Sequence, residues 1–200
     1  MARPRVREKL LDAAYALFRD DGAAALTTRG VAAKAGTTEA SVFNNFGAKA
    51  GLLRALVNER LPQLIEAKDC VKHGDTTDLR LWLEQVYSSA EQFYIAVAPL
   101  TTPFWVGNIH DSTGDVLSEI LFPVHSVLCE RLQALQQSAK ISPSIDTHAV
   151  ASLLIGAALH NALNVIAREL VGSDGSQLER GTGNAASSAV VDQVYGILTT

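Results

Sequence analysis

The run Thr38-Glu39-Ala40-Ser41-Val42-Phe43-Asn44-Asn45 carries the clearest chemistry in the chain. An asparagine amide presents a donor and an acceptor that match an adenine edge, and a serine hydroxyl bonds a phosphate or a base. Ala40, Ser41, Asn44 and Asn45 are short enough to let a helix backbone enter the major groove of DNA, while only Val42 and Phe46 need face inward. Other chemistries find little support. The sequence has no GxSxG, no P-loop, no GxGxxG after a strand and no Cys/His/Asp constellation. Asp111 and Asp115 lie in polar sequence and read as surface. The histidines are His73, His110, His125, His148 and His160; no two are four residues apart and there is no HExxH, which argues against a metal site. Cys70 and Cys129 are isolated and read as packing residues in a reducing compartment. No enzyme, metal or cofactor is expected.

The elements that must position this run are helical. Apolar residues recur at spacings of three and four along the chain, and no segment alternates with period two, so the expected fold class is all-α with about nine helices. Val6–Asp20 places Val6, Leu10, Ala14, Leu17 and Phe18 on one face, and Gly22 stops it. Thr27 or Thr28 caps a short helix over Arg29–Lys34, and Thr37 or Thr38 caps the next by accepting from a first-turn amide. Gly36 between them supplies a left-handed turn, which makes a helix-turn-helix. Ala48–Val71 reads as one longer helix kinked by Pro62. Further helices follow the stripe from Leu79 to Val97, the stretch Asp115–Lys140 with Pro123 in its middle, Ile145–Val171 and Ala185–Leu198. Pro99 and Pro103 bracket a break, and Gly172–Asn184 reads as a loop.

Composition and charge agree with a packed chain that has two functions. Of 200 residues, 48% are hydrophobic and 19% charged, which excludes disorder. Residues 1–60 hold ten Lys/Arg against six Asp/Glu, and residues 61–200 hold seven against fifteen. A basic head on an acidic body fits a DNA-contacting module joined to a separate one. In that head Arg3, Arg5 and Arg7 form a basic arm for flanking phosphates or the minor groove.

The body offers a candidate cavity and a candidate interface. Aromatics concentrate between Trp82 and Phe122; Phe93, Phe104, Trp105 and Phe122, with His110 and His125 as polar groups, are the candidate ligand-binding residues. Ala149–Ala167 is uncharged and long enough to span a membrane, but it carries Ser152, His160, Asn161 and Asn164, so an interface helix is the preferred reading. One short recognition helix reads few base pairs, so a homodimer is expected. Its interface is placed on Leu153, Leu154, Ala157, Asn161, Val165 and Val190. No secretory leader is visible, no membrane is expected as a partner, and the expected location is cytoplasmic.

Arg7-Glu8-Lys9-Leu10-Leu11-Asp12-Ala13-Ala14, Leu17-Phe18, Gly22, Thr27-Thr28, Val31-Ala32, Ala35-Gly36-Thr37, Phe43-Asn44-Asn45-Phe46, Lys49 and Leu52 form an ordered pattern. Over residues 5–57 that pattern resembles the DNA-binding head of the TetR family of transcriptional regulators. The resemblance implies a three-helix helix-turn-helix head, residues 1–50, and a larger ligand-binding and dimerisation body, residues 51–200. It implies that Thr28, Phe43 and Lys49 lie along the DNA backbone. Arg29, Glu39, Ala40, Ser41 and Asn44 then lie near bases, with Thr38 in the same DNA-facing set. Three positions depart from the family pattern. Phe43 stands where a tyrosine commonly reaches a phosphate, Ala50 where an acid often follows the lysine, and Asn45 where histidine is frequent. The implied function is a repressor released from a palindromic double-stranded DNA operator by a small-molecule effector. The alternatives are an activator or co-repressor-dependent regulator, and a helical ligand-binding protein with weakened DNA binding.

Overall fold

The computed structural model describes the backbone of residues 3–106, 120–171 and 180–200 and the side chains of residues 6–101, 120–168 and 187–200. Among the described residues there is no strand, and the helices are α1 (Arg3–Asp21), α2 (Thr28–Lys34), α3 (Glu39–Phe46), α4 (Lys49–Arg60), α5 (Pro62–His73), α6 (Leu79–Val106), α7 (Pro123–Gln137), α8 (Thr147–Val171) and α9 (Arg180–Thr199). Ile120 and Leu121 are also helical. The all-α expectation holds. The chain divides into two compact units: Met1–Ile65 with Val97–Leu121, and Glu66–Ala96 with Phe122–Thr200.

In the first unit α1 packs on α2, α3 and α4, and α3 packs on both α2 and α4. Leu10, Leu11, Leu26, Val31, Val42, Leu52, Leu56 and Val57 fill the space between them and are almost wholly buried. Full burial of each such side chain stabilises by about 1.5–3 kcal/mol, and this packing, more than helix propensity, holds helices as short as α2 and α3. Two ion-pair sets lock α1 to α4: Arg7 with Glu59, and Arg60 with Glu8 and Asp12.

In the second unit α7 packs on α8 and α8 on α9. Trp82 is fully buried and donates its indole N–H to the Cys70 carbonyl at 3.2 Å, joining α6 to α5. Tyr87 donates to the Ala157 carbonyl at 3.3 Å and Asn161 to Glu91 at 2.5 Å, joining α6 to α8. Arg80 binds Asp192 at 2.7 Å on α9.

The structure corrects the sequence reading chiefly at proline. Pro62 does not kink one long helix. Leu61 is extended (φ −81°, ψ 109°), α4 ends at Arg60, and Pro62 opens α5. Proline disfavours the α conformation at the preceding residue and suits the first helical position, where no donor is needed. Pro123 likewise opens α7 after Phe122 (φ −116°, ψ 25°) and does not lie within a helix. Pro99 and Pro103 act in the opposite way: α6 runs through both without the expected break. Each costs about 3 kcal/mol in a helix interior. The buried stripe Phe93, Tyr94, Val97 and Leu100 offsets that. The expected loop Gly172–Asn184 is shorter at its far end, since α9 already begins at Arg180; residues 172–179 lie outside the described residues.

Candidate nucleic-acid interface

The helix-turn-helix is built by turn chemistry. Thr27 caps α2 by accepting from the Gly30 amide at 2.9 Å. At the other end Gly36 takes φ 66°, the Gly36 amide bonds Ala33 O at 3.2 Å, and the Thr37 amide bonds Ala32 O at 2.9 Å. This is the Schellman closure, and it needs a residue that tolerates positive φ. Gly47 (φ 75°) ends α3, with its amide on Phe43 O at 2.8 Å. α4 then starts hard against α3. A Cβ on Gly51 would lie 2.0 Å from the Phe46 carbonyl oxygen, so only glycine fits that approach.

α3 buries Val42 completely and leaves Glu39, Ala40, Phe43 and Asn44 exposed. Thr38, just before it, and Lys49 and Arg29 are exposed as well, whereas Ser41 and Thr28 are half-buried. The expected cap by Thr37 or Thr38 does not form. Their hydroxyls instead meet the Ser41 hydroxyl, at 2.9 and 3.1 Å. That cluster ties up Ser41 on its own turn, and Asn45 is turned back to Ser41 O at 2.7 Å. Asn44 is thus the exposed amide on the helix.

Two further contacts alter the expected roles. Thr28 donates its hydroxyl proton to Glu39 at 2.6 Å. A phosphate contact needs that proton, so Thr28 must leave Glu39 to make one. Arg7 is not part of a loose arm. Its two Nη atoms grip Glu59 at 2.7 and 2.5 Å, and its guanidinium lies 5.4 Å from the Phe46 ring centre. The hydrogen bonds from Arg7 hold the Glu59 carboxyl below the usual carboxylate range. The side chains of Arg3 and Arg5 lie outside the described residues.

In the second unit Tyr94, Phe122, His125, Ser152, Ile155, Gly156 and Leu159 line a cavity of about 320 Å³. It contains Phe122 and His125 from the sequence expectation. Phe93 is fully buried and is not in the lining; its neighbour Tyr94 is. The side chains of Phe104 and Trp105, and His110 altogether, lie outside the described residues. Tyr94 and Ser152 are the polar wall groups that sequence reading missed. Their signal is weak, because Tyr94 sits in an ordinary apolar stripe and Ser152 in an uncharged helix. The Tyr94 hydroxyl is buried without a partner, and burial pushes its ionisation well above the usual tyrosine range.

On α8 the expected interface residues split. Leu153 is exposed, Leu154 is buried inside the chain, and Ala157, Asn161 and Val165 are half-buried. Val190 on α9 is also half-buried. Leu163, Tyr195 and Ile197, which the sequence reading did not single out, are exposed. The Thr147–Arg168 stretch is long and apolar enough to cross a membrane by length and composition, with a third of it buried.

Residues 10–56 match the family model of bacterial regulatory proteins, tetR family. No curated protein matches the chain in sequence. Its fold is similar to that of a TetR-family transcriptional regulator from Cytophaga hutchinsonii, at 17% identity and TM-score 0.68, with 100% of this chain and 98% of that one covered. It is also similar to the fatty acid degradation regulator FadR from Bacillus halodurans, at 16% identity, TM-score 0.63 and coverage of 96% and 98%. A third similar structure is FadR from Bacillus subtilis in complex with stearoyl-CoA, at 17% identity, TM-score 0.60 and coverage of 96% and 98%. The turn, the buried Val42 and the exposed α3 face fall inside the matched segment, so the similarity to bacterial regulatory proteins of the tetR family rests on residues 10–56.

Proposed function

We propose that the protein is a repressor that binds a palindromic operator as a homodimer and leaves it when a small-molecule effector occupies the body. Residues 1–50 read DNA; residues 51–200 hold effector and partner. The observation that carries this reading is the exposed face of α3, with Asn44 and Phe43 presented beside Lys49 and Arg29. Asn44 and Arg29 select bases, while Lys49 and Thr28 set register on the phosphates. The cavity supports an effector of mostly apolar body. Its buried and unpartnered Tyr94 hydroxyl supplies a polar anchor. That a protein of this fold holds stearoyl-CoA agrees with an amphipathic ligand.

The dimer reading rests on α8 and α9. Leu153, Leu163, Tyr195 and Ile197 are large, apolar and exposed. A Cβ on Gly156 or Gly196 would meet nothing within 4 Å. A helix uncharged over Ala149–Ala167 and left this open is suited to cover by a second copy. Footprinting on DNA flanking the gene tests the whole reading. Protection of an inverted repeat with half-sites about one helical turn, roughly 34–36 Å, apart is the expected result. Sedimentation should give a dimer that Leu153→Arg converts to monomer. Sequence-independent binding alone would favour the ligand-binding alternative, which the missing Phe43 hydroxyl makes the natural second reading.

A further inference from the structure

The body contains a side-chain cluster of which the effector reading uses only His125. His125 and Cys129 stand one turn apart on α7, and His148 reaches them from the first turn of α8. One potential ligand atom from each lies within 4.8 Å of those of the other two. The Cys129 sulfur is 3.8 Å from His125 Nδ1 and 3.9 Å from Nε2. The His125 and His148 rings meet edge to face with centres 4.7 Å apart.

We propose that His125, Cys129 and His148 form a binding site for a divalent cation of the zinc type, with a fourth position left for water or an exogenous donor. Imidazole nitrogen and thiolate sulfur are both zinc donors, and three protein ligands leave one tetrahedral position open. Bonds of about 2.0–2.3 Å to a common centre place donor atoms roughly 3.3–3.7 Å apart. Small side-chain rotations close the observed spacing to that value.

The surroundings fit this use. Ser152 Oγ lies 3.0 Å from His125 Nε2. Accepting the Nε2 proton, that hydroxyl leaves Nδ1 as the donor toward the metal, the outer-sphere arrangement that orients ligating histidines. Burial and the neighbouring His148 push the His125 imidazole below the usual histidine range, which favours the neutral form that ligates. Asp146 caps α8 through the His148 and Ala149 amides, and its charge acts on Cys129. A carboxylate close enough to act on that thiol favours a bound cation. Burial pushes the free Cys129 thiol up; binding one cation forms the metal–sulfur bond and releases the thiol proton to solvent. His125 also lines the cavity, which places the site at its wall.

Cobalt(II) is the probe, added to the untagged, reduced full-length chain. The expected result is one equivalent bound, with tetrahedral d–d bands, a thiolate-to-cobalt charge-transfer band, about one proton released, and bleaching by zinc. Cys129→Ser should abolish the charge-transfer band, and Cys70→Ser should leave it intact. His148 is exposed, so His148→Gln folds normally and should weaken cobalt binding at least tenfold. Absence of the charge-transfer band in the wild type, its persistence in Cys129→Ser, or wild-type affinity in His148→Gln would each overturn the site. None of these readouts depends on DNA or effector, so the site and the repressor reading fail separately.

Discussion

The α3 surface of the head and the helix packing of the body are fixed by contacts of different reach. In the DNA-reading head the surface is fixed by neighbours in sequence: Thr27 on Gly30 is a span of three residues, Thr37 on Ser41 of four and Thr28 on Glu39 of eleven. In the body the corresponding ties are remote. Tyr87 to Ala157 and Asn161 to Glu91 each span seventy residues, and Arg80 to Asp192 spans 112. A locally determined surface can be altered one residue at a time. A surface assembled from distant helices responds to changes in packing anywhere along them. Variants in the head should therefore separate stability, affinity and specificity more cleanly than variants in the body.

The largest effect is expected where the head has no slack. Gly51→Ala drives a Cβ to 2.0 Å from the Phe46 carbonyl oxygen and 3.2 Å from its carbon. Backbone atoms cannot rotate away, so α4 must shift against α3. Overpacking of this kind costs about 3 kcal/mol. A melting temperature several degrees lower, with operator binding lost, is the expected outcome. A variant that melts with the wild type would show that the α3–α4 approach is looser than described.

Next in size are the DNA contacts. Asn44→Ala should cost roughly 1–3 kcal/mol at the operator and relax base preference, with the fold unchanged because the side chain is exposed. Lys49→Ala should weaken all sequences alike and lower the slope of log affinity against log salt by about one unit. The two variants compared by gel shift across salt concentrations distinguish base reading from phosphate positioning. If both changed affinity in the same sequence-independent way, α3 would not be the reading helix.

This contrast also explains what was legible in the sequence. The helix-turn-helix was readable because Thr27 and Gly36 act through turn rules that operate within a few residues. Proline was harder, because the same residue starts a helix at Pro62 and Pro123 yet is tolerated inside α6 at Pro99 and Pro103. Burial of the surrounding stripe decides which, and burial is not local. Arg7 was misread for a similar reason: its partner Glu59 lies 52 residues away on α4. The His125–Cys129–His148 cluster is not legible in histidine spacing, because its helical pair is His–Cys and its third member comes from another helix. Leu154 and Leu153 are adjacent in sequence and alike in type, and only the packing of α8 shows which of them faces outward.

A smaller effect is expected from the ion pair that joins α1 to α4. Hydrogen bonds from Arg7 depress the Glu59 carboxyl in the folded state. The unfolded chain then binds more protons than the folded one between the two values, so stability falls as pH falls. The pair contributes fully above the ordinary glutamate value of about 4.3 and is lost as pH drops through the lower folded value. Both side chains are about one-third exposed, at 34% and 37%, so solvent screening limits the contribution. At most about 1 kcal/mol is expected. Glu59→Gln should be less stable than wild type in urea near neutrality, and the difference should shrink in acid. A constant difference across that range would mean that the glutamine changes packing and not charge pairing.

The smallest change sharpens the comparison most. Phe43 is 47% exposed on α3, so a hydroxyl added at its ring tip meets solvent and not core. Phe43→Tyr should leave the melting temperature within error of the wild type. In the family pattern a tyrosine at this position donates to a phosphate. A restored donor of that kind contributes about 1 kcal/mol, close to a fivefold tighter complex. Because a phosphate contact carries no base information, the gain should be equal on operator and unrelated DNA. The neighbouring Thr28 already gives its proton to Glu39, so the free head offers one fewer hydroxyl donor to the backbone than its residue types imply. Glu39→Gln provides the companion measurement: it weakens the hold on Thr28 and should add to Phe43→Tyr if both hydroxyls reach phosphates independently. Titration of the single and double variants against operator and random DNA reads both effects at once. If Phe43→Tyr tightens neither complex, α3 docks with this edge away from the backbone, and Phe43 is then a packing surface against the groove and not a lost phosphate contact.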